Sequence, residues 1–173
     1  RESIRLCVAW LERAYAHGGD TQARVGMSYA SVYAALSYGS AGLNAGHGIA
    51  YAIAGQTHKS HGSTNAVILP YVLDALREER FAELLEVARM FGIAEPDEAT
   101  AVRQLPVAVR TLVGRLDIPT DLRSFGVAER DLDALLHDAL GVTRLAKAFP
   151  VQNLERAYAS IIDNAWRGAL AGS

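Results

Sequence analysis

The residues of this chain best suited to chemistry are two histidines, each followed by a glycine. His47 and His61 lie fourteen positions apart in an otherwise apolar stretch with helical patterning. An unbroken helix would hold them about 21 Å apart, so a shared site requires the chain to turn back between them. Gly55 offers a left-handed helix end, and residues 56–60 offer a short polar connector. Imidazoles from two successive helices commonly bind a divalent metal, which makes this pair a candidate metal site.

Helical periodicity extends along nearly the whole chain, whereas the alternation typical of strands is essentially missing. Beyond the helix that carries His47, the pattern predicts helices over 3–17, 21–39, 64–75, 79–91, 97–115, 129–140 and 152–169. These elements predict a single all-α domain over residues 1–173, built as a bundle of about seven to nine helices.

Local signals refine the helices around the candidate site. Thr21 is the expected N-cap of the second helix, which is rich in Ala and Ser. Because that helix is apolar all round, we expect it at the centre of the domain. Ser63 or Thr64 is the expected cap of the helix after His61, and Pro70 predicts a kink or break in it.

Composition excludes several classes of function. The chain has 173 residues, with 17 Lys and Arg against 19 Asp and Glu and no basic run, so no nucleic-acid partner is indicated. No apolar segment reaches the length of a membrane helix. The single cysteine, Cys7, suits the reducing cytoplasm. The glycines of 39–46 lack the strand–turn–helix context of a phosphate loop, so no nucleotide-binding motif is present.

The two histidine motifs resemble a known family. The first reads His-Gly-x-x-Tyr from His47, and the second reads His-Gly-x-x-Asn-Ala-x-x-Leu-Pro from His61. Together they are similar to the C-terminal half of the iron-containing (group III) alcohol dehydrogenases, whose superfamily includes dehydroquinate synthase and glycerol dehydrogenase. Further stretches resemble the same family in the same order, at 19–27, 42–47, 118–127 and 149–150.

This resemblance implies a two-domain enzyme that moves hydride between an alcohol and NAD(P). Its N-terminal α/β domain binds NAD(P), and its all-α C-terminal domain holds Fe²⁺ or Zn²⁺ through one Asp and three His. His47 and His61 correspond to the last two of those ligands. The Asp and the first His are expected on a helix just before residue 1, so we expect a piece of a longer cytoplasmic protein, inactive alone and homodimeric when whole.

Two tyrosines are candidates for the substrate pocket. Tyr51 lies one helical turn from His47, where many family members carry another histidine. Tyrosine is ordinarily a poor base at neutral pH, so this residue type suits hydrogen-bond donation to a substrate oxygen better than base catalysis. Tyr38, nine residues before His47, corresponds to a pocket aromatic of the family. For both tyrosines, packing against other side chains is the alternative.

Three alternative functions remain open at this point. Tyr51 also resembles the hydroxyacid–oxoacid transhydrogenase branch, so the small-molecule substrate is either an alcohol or aldehyde, or a 2-oxo or hydroxy acid. A maleylacetate reductase would have the same fold without metal, although the intact pair His47 and His61 counts against it. In a non-catalytic helical module, the two histidines would simply hydrogen-bond backbone carbonyls.

Overall fold

The computed structural model describes residues 1–41, 45–146 and 149–171. Every regular element in these three ranges is helical and none is a strand, so the predicted all-α class is confirmed. The helices are α1 Glu2–Ala16, α2 Thr21–Ala41, α3 Ala45–Thr57, α4 His61–Ala75, α5 Phe81–Met90, α6 Glu98–Arg115, α7 Leu122–Phe125, α8 Leu132–Gly141, α9 Thr143–Ala146 and α10 Leu154–Arg167. A 3₁₀ turn over Glu129–Asp131 precedes α8.

Most helix boundaries agree with the periodicity, and the differences have local causes. The ten α-helices of the described ranges exceed the predicted seven to nine because α7 and α9 are single turns, too short to show a period. The N-cap of α2 is Asp20 rather than Thr21, because Asp20 Oδ1 accepts the Ala23 N–H at 3.0 Å. The glycine-rich junction before His47 lies partly outside the described residues, at 42–44.

The helices that carry the two histidines form the centre of the bundle. α3 packs against α4 and α8, while α4 packs in turn against α6 and α10. Their inward side chains are almost fully buried in one continuous core, which includes Ile49, Ile53, Val67, Ile68, Leu105, Leu135, Tyr158 and Ile161. Because close-packed cores deform little, the backbones of α3 and α4 are rigid supports for whatever they carry.

The second helix is not central, so that expectation is wrong. α2 packs chiefly against α1, and together they form a hairpin beside the bundle. Ala23 and Ala30 are buried in that contact, whereas Val25, Tyr29 and Val32 on the outer face are 48%, 57% and 54% exposed. The apolar outer face therefore remains largely uncovered by the helices of the described ranges.

Polar side chains tie the hairpin to the bundle. The Tyr15 hydroxyl donates to Asp117 Oδ2 at 2.6 Å, and Arg115 pairs with Glu12 at 3.0 Å. Arg1 pairs with Glu86 of α5 at 2.9 Å. Such exposed pairs contribute little to stability because water and salt screen them, so the hairpin is attached more weakly than the core helices.

Gly26 permits the close crossing of α1 and α2. A Cβ at Gly26 would lie 2.6 Å from Cγ and 2.8 Å from Nε1 of Trp10, too close for any real contact. Gly26→Ala is therefore expected to lower the free energy of unfolding by about 1–3 kcal/mol, measured by urea titration of tryptophan fluorescence and helical circular dichroism. Gly39→Ala in the same helix has open space around it and is expected to be neutral or stabilising. Equal effects at the two glycines would contradict this packing.

Candidate metal centre

The turn between α3 and α4 differs in detail from the one expected. α3 continues past Gly55 to Thr57, and the left-handed residue is His58, with φ of 54°. The Thr57 hydroxyl donates to Ile53 O at 2.7 Å and the His58 N–H donates to Ala54 O at 2.8 Å, which closes the last turn. Histidine is among the few residue types that enter this region readily, so Gly55 is not needed there.

The start of α4 places His61 at the first helical position. Ser60 is the cap, since its Oγ accepts the Ser63 N–H at 3.3 Å, and the caps expected at Ser63 and Thr64 are wrong. The Ser63 hydroxyl instead donates to Ser60 O at 2.9 Å, which tightens the same turn. α4 then continues through Pro70 without a break. His61 therefore projects from a well-capped helix start.

The structure brings the rings of His47 and His61 together. Their centroids lie 5.5 Å apart with planes tilted by 54°. A tetrahedral metal bonded at about 2.0–2.1 Å to one nitrogen of each ring would hold the two ring centres about 5 Å apart. The separation, and the borderline-soft character of imidazole nitrogen, therefore fit a divalent ion such as Fe²⁺ or Zn²⁺ between the rings.

Electrostatics at the pair favour the form of histidine that binds metal. His47 is half-buried on α3, whereas His61 is exposed. Burial, and secondarily the positive charge of a protonated His61, lower the pKa of His47 below its ordinary value. His47 is therefore held in the neutral state, which leaves a ring nitrogen free to ligate.

The lowered pKa of His47 predicts a dependence of stability on pH. An unfolded chain, in which His47 titrates near its ordinary value, takes up a proton before the folded chain does. The contribution of neutral His47 to the free energy of unfolding is therefore fully present above about pH 6.5. It falls as the pH drops further, until His47 of the folded chain is also protonated. Between about pH 7.5 and pH 5, we expect the free energy of unfolding measured in urea to fall less for His47→Asn than for wild type. The control is His137→Asn, at an exposed histidine. An equal fall in the free energy of unfolding for wild type and both variants would refute the assignment of this pH dependence to His47.

Tyr51 completes a group of three rings. Its ring stacks on His61 with centroids 5.2 Å apart and planes within 17°, and it meets His47 edge-on at 6.4 Å. Tyr51 is 44% exposed, so much of its side chain is open to solvent beside the two imidazoles. A phenol at this place can donate one hydrogen bond to an oxygen atom bound near the pair.

A groove of about 750 Å³ opens beside His47, and we call it the His47 groove. It lies between the hairpin and α4, and its lining includes Ile4, Tyr33, Tyr38, His47, Asn65 and Leu69. Tyr38 is 52% exposed, so it stands at the wall of this groove rather than in the core. The groove has the size and mainly apolar character of a small-ligand or helix-binding cleft.

Asn65 contacts the ring of His61, although the sequence pattern alone assigned it no role. Its Nδ2 lies 3.2 Å from Nδ1 and 3.3 Å from Nε2 of His61. The signal was present in the sequence, because residues four apart on a helix face one another. Within the described ranges no third His, Cys, Asp or Glu joins the two histidines in a potential metal-binding group.

No helix in the described part of the chain is long and apolar enough to cross a membrane.

Comparison with known sequences matches nearly the whole chain to one family. The profile described as the Fe-containing alcohol dehydrogenase family, C-terminal, matches residues 1–166. Long-chain-alcohol dehydrogenase 1 of Geobacillus thermodenitrificans is 32% identical over 170 residues, which is 97% of this chain and 43% of that protein. The 1,3-propanediol dehydrogenase of Klebsiella pneumoniae is 33% identical over 144 residues, 80% of this chain and 36% of that enzyme.

Comparison with solved structures gives the same result. The crystal structure of a 1,3-propanediol oxidoreductase superposes with a TM-score of 0.88 at 30% identity, covering 95% of this chain and 43% of that one. The chain therefore spans less than half the length of the proteins it resembles.

Proposed function

The chain belongs to the iron-containing alcohol dehydrogenase family, and from that membership we propose that it is the metal- and substrate-binding helical part of an NAD(P)-dependent alcohol dehydrogenase. The observation that carries the proposal is the convergence of His47 and His61 from two rigid central helices, which brings their ring centroids within 5.5 Å of each other. The reaction interconverts an alcohol and an aldehyde or ketone by hydride transfer.

The residues of this chain have distinct roles in the proposal. His47 and His61 each contribute one imidazole nitrogen to a divalent iron or zinc ion. When bound, that ion supplies Lewis-acid polarisation of the substrate oxygen. Tyr51 donates a hydrogen bond to the same oxygen, and Tyr38 forms part of the wall against which the substrate's carbon chain packs. Leu69 belongs to the same mainly apolar lining of the His47 groove, against which the carbon chain is shielded from water.

A second polypeptide segment completes the site in this proposal. Two imidazoles are half of the ligand set that the family resemblance implies, and the remaining Asp and His come from a helix outside residues 1–173. The exposed apolar face of α2 (Val25, Tyr29 and Val32) is the surface on which such a helix would pack, while the His47 groove is left to the substrate's carbon chain. NAD(P), which supplies the hydride chemistry, is bound mainly by a separate nucleotide-binding domain.

The substrate class, the compartment and the oligomeric state are proposed from the relatives, the cysteine content and the family resemblance. The relatives are named for long-chain alcohols and 1,3-propanediol, which favours an alcohol or aldehyde over a 2-oxo or hydroxy acid. The lone thiol of Cys7 favours the cytoplasm. We include a homodimer in the proposal, because the family resemblance implies one.

Metal removal tests the proposal against its rivals. In a polypeptide that joins these 173 residues to a nucleotide-binding domain, we expect NAD(P)-linked oxidation of a panel of primary alcohols. EDTA should abolish this activity, and Fe²⁺ or Zn²⁺ should restore it, whereas the 173 residues alone should show no turnover. Activity that survives complete metal removal would favour a reductase of the maleylacetate type. A joined polypeptide that is inactive towards alcohols and hydroxy acids and takes up no metal would favour a non-catalytic module.

A further inference from the structure

We infer that Tyr51 and Asn65 are positioning residues that hold the ring of His61 in the orientation required for metal binding. We call this pair the His61 clamp. The inference rests on the proposed metal ligation by His47 and His61 and adds to it the residues that prepare one ligand. It concerns the aromatic face of Tyr51, in contrast to the hydroxyl that acts on substrate.

His61 needs such support more than His47 does. It occupies the first position of α4, directly after the Ser60 cap, and its side chain is exposed. An exposed side chain ordinarily samples several rotamers, and fixing one of them costs conformational entropy. His47, by contrast, lies within the first half of α3 and is partly buried, so its own helix restricts it.

Tyr51 restrains the plane of the His61 ring from the opposite helix. The two rings are stacked at 5.2 Å with an interplanar angle of 17°. Tyr51 is anchored on α3 between buried Ala50 and Ala52, so its Cα cannot shift far. Offset stacking of two rings favours this one tilt of the imidazole over others. The stack therefore fixes the plane of the His61 ring.

Asn65 contacts the nitrogen side of the same ring from within α4. Its Nδ2 donates to His61 O at 2.8 Å, which fixes the amide one turn above the ring. In that position Nδ2 also lies 3.2 Å and 3.3 Å from the two ring nitrogens. An atom almost equidistant from both nitrogens cannot lie in the ring plane, where it would collide with the carbon between them, so the amide lies over the ring on its nitrogen side. Because an amide N–H is favoured beside ring nitrogens over ring carbons, this contact favours the observed rotamer over the one flipped by 180° about Cβ–Cγ.

Nuclear magnetic resonance on the metal-free 173-residue chain tests the clamp directly. We expect nuclear Overhauser contacts between the ring protons of Tyr51 and His61, and an upfield shift of the His61 ring protons caused by the tyrosine ring. Tyr51→Phe should retain both signatures, whereas Tyr51→Leu should lose them. Tyr29→Leu, at an exposed tyrosine of α2, is the matched control and should leave both signatures intact. Absence of ring contacts in the wild-type chain would overturn the inference.

Titration with Zn²⁺ by calorimetry gives the second measurement. Tyr51→Leu and Asn65→Leu should each weaken Zn²⁺ binding by about tenfold, the lower end of the effect of residues that orient metal ligands. Tyr51→Phe and the control Asn164→Leu on α10 should bind as the wild type does. Thermal unfolding of each variant identifies any that fails to fold, and Asn65→Ala then replaces Asn65→Leu.

Different results would contradict the His61 clamp and the metal binding by His47 and His61. Zn²⁺ binding that both leucine variants leave unchanged would overturn the clamp and leave the metal pair standing. A wild-type chain that shows the ring contacts and yet binds no Zn²⁺ would overturn the metal pair, and with it the purpose of the clamp.

Discussion

Alanine in place of His61 is expected to lower the affinity of the chain for Zn²⁺ on the order of 100-fold, because it removes the second of two bonds made within one molecule. Calorimetric titration of the 173-residue chain measures this loss. In the polypeptide that also carries a nucleotide-binding domain, turnover of the alcohol should fall on the order of 1,000-fold, which corresponds to the several kcal/mol that a metal contributes to charge stabilisation. His47→Ala should have the same effect, because His47 and His61, whose ring centroids lie 5.5 Å apart, are proposed to bind one metal ion together.

His58 provides the matched control for these substitutions. It lies three residues before His61, in the left-handed position between α3 and α4, and asparagine tolerates that conformation. His58→Asn should therefore leave Zn²⁺ affinity and turnover unchanged. A loss at His58 equal to the loss at His61 would move the site into the connector and contradict the proposed pair.

Phenylalanine in place of Tyr51 is expected to lower kcat about 100-fold with little change in KM, since a hydrogen bond to the developing negative charge on the substrate oxygen acts in the transition state. The ring of Tyr51 remains in this variant and continues to stack on His61, so Zn²⁺ affinity should not change. Steady-state kinetics of the joined polypeptide, together with Zn²⁺ titration, separates the two effects.

The hydroxyl and the ring of Tyr51 are distinguished by the pattern of losses. Tyr51→Leu should lose both turnover and Zn²⁺ affinity, whereas Tyr51→Phe should lose turnover alone. Tyr29→Phe, at an exposed tyrosine of α2, should change neither. Full activity of Tyr51→Phe would restrict Tyr51 to its positioning role and remove it from the reaction.

The two histidines and the turn between their helices could be predicted from the sequence, because both depend on the spacing of residues along the chain. Two histidines separated by a helix end, a polar connector and a helix start can meet only if the chain turns back, and it does. The details of that turn were not readable. Whether Gly55 or His58 takes the left-handed conformation depends on which residue closes the last turn of α3, and periodicity does not report this. The same holds for the choice of Ser60 over Ser63 as the cap of α4.

The location of α2 shows a different limit of sequence reading. A helix that is apolar on all sides was expected at the centre of the domain, yet its outer face is open in the described ranges. An apolar helix face indicates a surface suited to contact with other protein, and the sequence does not indicate whether that is the core of the domain or a partner. Asn65 was missed for a related reason, since a lone amide on a helix has no chemistry until the ring that it faces is known.

An anomalous-scattering experiment on crystals of the chain grown with Zn²⁺ examines the histidine pair most directly. We predict one strong peak between the rings of residues 47 and 61, within about 2.0–2.1 Å of a nitrogen of each. A peak bound elsewhere, or imidazoles turned away from each other with no density between them, would contradict the assignment of this helical domain to metal-dependent alcohol oxidation.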